Sequence, residues 1–571
     1  MALDVSKLNA RYESLRTERS GWDSAWADLA ELFSPTRWRS DTDTTSHRQP
    51  VINGRLVDST GVRAMRTLAA GLQGGMTSPV RPWFRLRLAH GQDKQEPGIN
   101  MWLDEVTERM RLLLHQSNFY NKVHGLYQDL GTFGTGLMVE TADEDGLKFH
   151  RVAAGEYVLD VNGDGFVDCF FRRLHLSARQ IIDLWGEDKA PEAVLTAAKS
   201  PTVGASERYN VVHGVFPRQD VKYGQSVGAK GKPYVSVYWL QEDGRRGHVL
   251  SESGYDMFPA FAPRWDVHFG DVYGRSPAME VMPDARMLQA MATTHRIMEH
   301  KIADPPLIGD TSLRQYGVDK NPGGFTYGSL QITQGRPLVM PIQQPDAAAI
   351  KYSWEALQDV RRIVDDGLYV DLFRMLLDDD RRQITATEIQ ARQAEKMLLI
   401  GPVVERLHTE LLSPLIKRTY SLMQEWGALP PPPDGMGYAE LDVEFESVLA
   451  QAQKITATSS IEQGVSFAVN LAGARPEALD LLDADQTVRS YFDRIGMPQS
   501  CIADEQAVQA SRQKRQAQEQ AMQQQQAMAA GGQAAQDITG AAKNLGQTPV
   551  GADGATLMDT VLGGITGAGG M

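Results

Sequence analysis

The chain has 571 residues, 42% of them hydrophobic and 23% charged, an ordinary globular composition on a length that suggests roughly three or four structural units. A net charge of −14 argues against a protein that grips nucleic acid, since tight phosphate binding rests on neutralisation by Lys and Arg and release of counterions; an acidic wall past which a duplex slides remains compatible with it. No stretch approaches the roughly 20 uncharged apolar residues needed to span a bilayer, residues 1–16 carry neither the basic start nor the apolar middle of a signal peptide, and Cys169 and Cys501 are too few for a disulfide framework or an all-cysteine metal site, so the expectation is cytoplasmic synthesis, free thiols and no membrane.

In chain order, Leu8, Leu15, Trp22 and Leu29 recur every seven residues and Tyr12, Trp26 and Phe33 fill the adjacent stripe. This predicts an amphipathic helix that Gly21 breaks in two and Ser34-Pro35 ends. A second helix is expected from Asp58 to Leu72, closed by Gly71, Gly74 and Gly75 and by the Ser78-Pro79 and Pro82-Trp83-Phe84 run, which no regular element tolerates. Helices are expected over 99–116 and 119–130. Beyond Gly136 the pattern turns strand-like over 137–140, 148–152, 156–160, 167–174, 209–216, 234–240 and 248–251, so residues 1–265 read as an α+β body.

Ser276-Pro277 is a helix start, with Ser as N-cap and Pro in the first turn; the helix runs through Met279, Met282, Met287, Met291 and Met298 to Asp304-Pro305-Pro306. Residues 307–349 are rich in Gly and Pro, with β-prone pieces at 325–327 and 338–342. A further helix places Ile350, Trp354, Leu357, Val364 and Leu368 near one face. The charged run Asp378, Asp379, Asp380, Arg381 and Arg382 leads into the capping box Thr385 to Glu388. From Thr385 to Trp426 one helix would be about 60 Å long, with kinks at Pro402 and Pro414. Pro430 to Pro433 closes it. Residues 440–500 read as a small helical unit, residues 504–530 as a Gln- and Ala-rich tract, helical or disordered, and the Gly-rich 531–571 as mobile.

Motifs with a catalytic look each have a plainer account. Asp160, Asn162, Asp164 and Gly165 match the first half of a calcium loop, but position twelve is Phe171 and the flanks are strands, so a hairpin turn explains them. Gly224, Ser226 and Gly228 fit a nucleophile elbow without the strand-to-helix context it needs, and Lys232 precedes Pro233 where a phosphate loop needs Ser or Thr. His295 and Glu299 share a helix face, while His300 is turned roughly 100° from Glu299, so no zinc-protease motif is met and a surface stripe is expected. Gly131, Gly134 and Gly136 lie between a helix and a strand, the reverse of the dinucleotide order, and let the chain turn. No catalytic residue, cofactor or metal ligand is expected, and the absence of a phosphate loop removes an ATPase.

Gly71 to Pro79 with Pro82-Trp83-Phe84, the Gly134 to Gly136 turn, Tyr273 to Pro277 opening the Met-rich helix, Asn321 to Gly324, and Thr385 to Ile389 with Arg392 and Glu395 together resemble the podophage head-to-tail connector, or portal, family. The resemblance covers residues from about 1 to 430. It implies a ring, usually of twelve subunits, with a multi-region portal fold: an α+β wing (1–265), stem helices (266–303 and 350–371) in contact through Met291 and Leu357, a small α/β clip (304–349), a tunnel loop (372–384) that points Asp378, Asp379, Asp380, Arg381 and Arg382 into a DNA channel, a long wing helix (385–428) and a helical crown (429–503), followed by a tail (504–571) that is a helical barrel or disordered. It further implies assembly in the host cytoplasm into the portal vertex of the virion. The implied partners are double-stranded DNA passing without sequence specificity, the terminase large subunit, major capsid and scaffolding proteins, and tail adaptor proteins. Two other classes compete: a soluble metal-dependent hydrolase built on Asp160 to Asp168 with His295 and Glu299, and a ring-forming tail adaptor, which should be shorter and lack the stem and long helices.

Overall fold

The computed structural model describes residues 4–38, 56–88, 97–143, 146–200, 207–218, 229–241, 247–268, 270–309, 346–377, 399–433, 441–446, 464–472, 481–494 and 507–523, with short pieces elsewhere. The seven-residue recurrence at the start becomes a single helix, α1 (Val5–Phe33), capped by the Asp4 side chain, which accepts a 3.0 Å hydrogen bond from the Ser6 amide. Gly21 does not break it. The residue is exposed with nothing within 4 Å of where a Cβ would stand, so its cost of about 1 kcal/mol is outweighed by Tyr12, Trp26, Leu29 and Phe33, buried on either side.

Helix α2 (Thr60–Met76) runs past its expected end, through Gly71, Gly74 and Gly75. The Pro-Trp-Phe run, expected to tolerate no regular element, instead opens strand β1 (Phe84–Leu88), in which buried Phe84, Leu86 and Leu88 alternate with Arg85 and Arg87. Helices α3 (Pro97–Gln116) and α4 (Phe119–Phe133) follow, the latter stopped by Gly134 in the left-handed region at φ 76°. Next come β2 (Leu137–Asp143), β3 (Gly146–Val152), β4 (Tyr157–Val161) and β5 (Val167–Ser177). Two short helices that periodicity did not reveal, α5 (Ala178–Trp185) and α6 (Glu192–Lys199), precede β6 (Arg208–Pro217), β7 (Tyr234–Gln241), β8 (Gly247–Tyr255) and β9 (Ala260–Phe261). Helix α5 starts on a complete capping box between Ser177 and Gln180.

Beyond the body lie α7 (Pro277–Ala303), β10 (Leu307–Gly309), β11 (Val339–Pro341), α8 (Ala347–Gly367) and α9 (Val370–Leu377). Residues 399–407 are helical, His408–Leu412 form a π-turn, and α10 (Ser413–Glu425) completes the segment. Pro414 has no N–H to give the carbonyl four residues back, and the turn before it widens, so that the Ser413 amide donates to His408, five back. Strand β12 (Leu441–Phe445) replaces the helix expected at the start of 440–500, and α11 (Ala484–Arg494) ends this unit. The second unit, residues 497–571, shows an exposed helical stretch over 507–523.

The main sheet is an antiparallel meander, β4-β5-β6-β7-β8. Its period-two alternation sends Phe171, Val212, Val237 and Trp239 against Leu8, Tyr12 and Leu15 of α1, and Val211, Leu240 and Leu250 against Ile181 and Val194 of α5 and α6. A second sheet has the order β3-β2-β9, and β1 pairs with β12, Phe84 opposite Phe445. The largest core joins the second half of α1 to α2, α4, the base of α7 and α8, and residues 400–423, through Trp26, Phe33, Leu68, Phe133, Leu288, Val364, Leu407 and Leu415.

Candidate functional site

Helices α7 and α8 form an antiparallel hairpin. Ser276 begins it: its hydroxyl accepts from the Met279 amide at 3.1 Å and donates to the Thr132 carbonyl at 2.8 Å, tying the helix start to the end of α4. Gly274 beside it lies so near Gly134 that a Cβ on Gly134 would stand 2.2 Å from the Gly274 carbonyl oxygen, which is why both turns need glycine. Val281 faces Gly367 near the base, His295 Nδ1 meets the Ser353 hydroxyl at 3.1 Å, and Leu307 pairs with Pro341 at the tip. One register therefore holds along the hairpin and puts Met291 and Leu357 at the same level, one turn below His295 and Ser353. Leu357 is 1% exposed, and Met291 is half-buried against the same core. On the outer faces Met287, Ile297, Tyr352 and Ile363 are exposed.

The hairpin is seated on residues 57–60. Gln289 of α7 accepts from the amides of Val57 and Asp58 at 2.8 and 2.9 Å and donates to the Asp58 carbonyl at 2.8 Å. Arg361 of α8 gives two hydrogen bonds to Asp58, 2.6 and 2.9 Å, and lies over the Trp354 ring at 5.2 Å. The other Asp58 oxygen accepts from the Thr60 amide at 2.8 Å. Burial pushes the Asp58 carboxyl up, but the bonds from Thr60 and Arg361 outweigh it and hold the group below its ordinary range.

At the end of α8 the chain turns through Leu368 and Tyr369. Tyr369 has φ 57°, the one non-glycine residue with positive φ among the described residues, a conformation costing an aromatic residue about 1–2 kcal/mol. Its ring is half-buried and stands 5.9 Å from that of Trp265. Helix α9 then presents Phe373, fully buried, to Gly71 of α2, where a Cβ would stand 2.1 Å from the ring. The helix leads in sequence into Asp378, Asp379, Asp380, Arg381 and Arg382, which with the capping box Thr385 to Glu388 lie outside the described residues.

Residues 399–425 are pinned to the body by two buried ion pairs of opposite sense. Arg264 meets Glu410 of the π-turn at 2.6 Å, and also donates its amide to Glu410 and a guanidinium N–H to the Gly165 carbonyl. Glu140 of β2 meets Arg418 of α10 at 3.1 Å and accepts from the Thr419 hydroxyl. Complete burial raises the Glu140 carboxyl to about 7 against the opposing pull of Arg418 and Thr419. Glu410 also borders a cavity of about 250 Å³ lined by Phe166, Phe258, Ala260, Ala262, Thr409 and Pro414. Sequence reading missed the roles of Asp58, Gln289, Arg264 and Glu410: each finds its partner more than a hundred residues away, and a lone polar or charged residue carries no mark of a distant partner.

The motifs with a catalytic look resolve into structure. Asp160 pairs with Arg11 at 2.9 Å, and Asn162 closes the β4–β5 turn by accepting from the amides of Asp164 and Phe166. His295 is not on a surface stripe: it is 5% exposed between the hairpin helices, against Ser353 and Trp354, with Glu299 at 3.3 Å. Ser236 and His213 are 3.0 Å apart, but Arg172 Nε can only donate to His213 Nδ1, so Nε2 carries the proton and cannot take one from the serine; burial and then Arg172 hold this histidine well below its ordinary pKa. Burial pushes the Cys169 thiol up to about 12, leaving it unreactive. Gly224 to Gly228 and Cys501 lie outside the described residues. Among the described residues no group of three or more His, Cys, Asp or Glu is arranged to hold a metal ion, and no helix is long and apolar enough to cross a membrane.

Comparison with known proteins adds three findings. The family model described as "Bacteriophage head to tail connecting protein" matches residues 5–502. A protein named "Portal protein" from Salmonella phage epsilon15 is 34% identical over 552 residues, 95% of this chain and 96% of the relative, and one named "Probable portal protein" from Bordetella phage BPP-1 is 35% identical over 520 residues, 90% and 92% of the two chains. A chain from the solved neck of an empty GTA particle matches at 13% identity, covering 80% of this chain and 95% of that one, with a TM-score of 0.34. With nearly the whole length of two portal proteins matched, the chain belongs to the family of bacteriophage head to tail connecting proteins, the portal proteins of the phage head–tail junction.

Proposed function

We propose that twelve copies of this chain form a cone-shaped ring at one capsid vertex, assembled in the host cytoplasm, through whose channel double-stranded DNA enters and leaves the head. Residues 1–265 form the wing, 266–303 and 350–371 the stem, 304–349 the clip, 372–384 the tunnel segment, expected as a loop but helical in its first six residues as the end of α9, 385–428 the long wing helix, 429–503 the crown and 504–571 the tail. The role is passive. The terminase large subunit docks at the clip and drives the DNA, tail adaptor proteins replace it there, and major capsid and scaffolding proteins surround the wing. The chain itself needs no catalytic residue, cofactor or metal.

The observation that carries this reading is the α7–α8 hairpin, rooted in the body yet exposing Met287, Ile297, Tyr352 and Ile363 along its sides. An isolated helix pair with uncovered apolar faces is stable when neighbours cover them. In the tunnel loop, Asp378, Asp379, Asp380, Arg381 and Arg382 would form stacked rings of both signs near the duplex, and charge so dense must face water or be paired.

Negative-stain microscopy of the purified chain tests the ring: particles with a central hole are expected, and a monomer at every concentration would overturn it. For the loop, Arg381→Ala with Arg382→Ala should leave rings intact and impair DNA packaging or retention. Mutant heads that hold full-length DNA as well as the parent would sink that assignment.

A further inference from the structure

Helix α2 touches the chain on both sides of the Tyr369 kink. Just before its first residue, Asp58 takes the Arg361 guanidinium, while Gln289 grips the same turn by three hydrogen bonds. One turn further, Arg63 of α2 and Arg374 of α9 both lie near Asp365, whose carboxyl burial pushes up against their opposing pull. Near the other end, Gly71 leaves the notch that Phe373 fills. Asp58 and Gly71 are thirteen residues apart, about 20 Å of helix. The first holds α8 before the kink and the second holds α9 after it; among the described residues the Asp58 carboxylate bonds Thr60 and Arg361, neither of them in α9.

Tyr369 sharpens the point. A bulky residue stays in the left-handed region only where its surroundings over-determine it, and such positions cluster at elements with more than one arrangement. Phe373 anchored at Gly71 and Arg361 anchored at Asp58 fix the two arms of that bend.

We propose that α2 is a brace across the kink, coupling the seat of the hairpin at Asp58 to the position of α9 at Gly71. The hairpin and α9 then cannot shift independently. A displacement of the hairpin is passed through α2 to the chain entering Asp378 to Arg382. Only that last step rests on the portal reading; the coupling itself does not.

Spatial intermediacy alone does not establish coupling, so the test must read one site while perturbing the other. Amide hydrogen exchange on the full chain does this. Asp58→Asn removes the charge that holds the partly buried Arg361, and Gln289→Ala is a second variant that loosens the seat while leaving that ion pair in place. Both should speed exchange over 370–377 by tenfold or more, although neither residue reaches α9. Gly71→Ala, which displaces Phe373, should in return speed exchange over 355–366, since coupling is reciprocal. Changes confined to 57–62 and 355–366 in the seat variants, with 370–377 as in the parent, would overturn the brace. Where coupling is seen, packaging by heads carrying Gln289→Ala tests the last step: reduced packaging supports it, and parental packaging overturns it. Failure to form rings at all would count against the portal reading and leave the exchange result standing.

Discussion

The body and the hairpin solve the same problem differently. In the body, Trp26 has no exposed surface; its indole N–H donates to the Phe133 carbonyl, and Trp22, Phe133, Tyr157 and Tyr273 surround it within 6.5 Å. In the hairpin, the buried residues of α7 end at His295, and along α8 burial begins only at Leu357. The outer turns, 296–303 and 348–356, bury no side chain completely. A helix pair of this kind is held at its root by the core and by the Asp58 seat, and among the described residues its outer half has its partner helix and one bond to the body, from Arg296 to the Val57 carbonyl. Most helical stability comes from packing an apolar face, so the outer half is where another chain has the most to contribute.

The contrast should appear first in core truncations. Trp26→Ala empties a fully buried aromatic site in the body and should cost about 3–5 kcal/mol, as large-to-small aromatic changes do. Leu357→Ala removes the hairpin's last core contact before its outer half and should cost less, about 2–3 kcal/mol, because solvent and a flexible Met291 can relax into the gap. Urea unfolding of the full chain measures both. Equal losses, or a larger one at Leu357, would mean that the hairpin is as tightly packed as the body.

A second difference is buried charge. The body buries both members of the Glu140–Arg418 pair, whereas in the hairpin Lys351 with Glu355 and Arg362 with Asp359 are exposed, and beside the buried His295 its partner Glu299 is exposed. Glu140 has its pKa raised from 4.5 to about 7, so the folded chain binds this proton more tightly than the unfolded chain. Its share of stability is complete below pH 4.5 and is lost as pH rises through 7, about 1–3 kcal/mol across that window. Against Glu140→Gln, the parent should therefore lose more stability between pH 5 and pH 7. Parallel slopes in urea unfolding at pH 5, 6 and 7 would show that Arg418 keeps the carboxylate ionised throughout.

These regions also differ in how much of them could be read from sequence. The recurrence from Leu8 to Phe33, the alternating strands from 137 to 251, the Ser276-Pro277 start and the Asp160 turn are local patterns, and each became the expected kind of element with shifted ends, the first as one helix unbroken at Gly21. Much of what was illegible depended on distant partners. Strand β1 was passed over because of the Pro82-Trp83 run before it, although Arg85 and Arg87 alternate with apolar residues as in a strand with one buried face; the strand β12 that pairs with it lies far along the chain. The glycines of α2 looked like helix breakers because the Phe373 that fits against Gly71 lies far along the chain. Similarly, Asp58 was visible as a helix start but not as the anchor of Arg361. The family resemblance was legible because it lay in short glycine- and proline-bearing segments, and two of these, at Gly134 and at Gly274 to Pro277, meet in space.

The smallest stability effect is the one that best separates the two regions. Tyr352 is 75% exposed and Ile363 49%, and both lie on α8. In a lone chain, replacing them with serine removes little buried area, so Tyr352→Ser with Ile363→Ser should change unfolding free energy by no more than about 0.5 kcal/mol. If neighbouring chains cover these side chains, the same change should cost far more in the assembly, because apolar area excluded from water at every subunit contact is lost around the whole ring. Sedimentation velocity at matched concentrations should then show a shift from rings to monomers while the monomer's melting curve stays in place. A parental ring fraction would show that these faces stay open to water in the assembly. A large loss of monomer stability would show that the hairpin is closed upon itself and needs no neighbour.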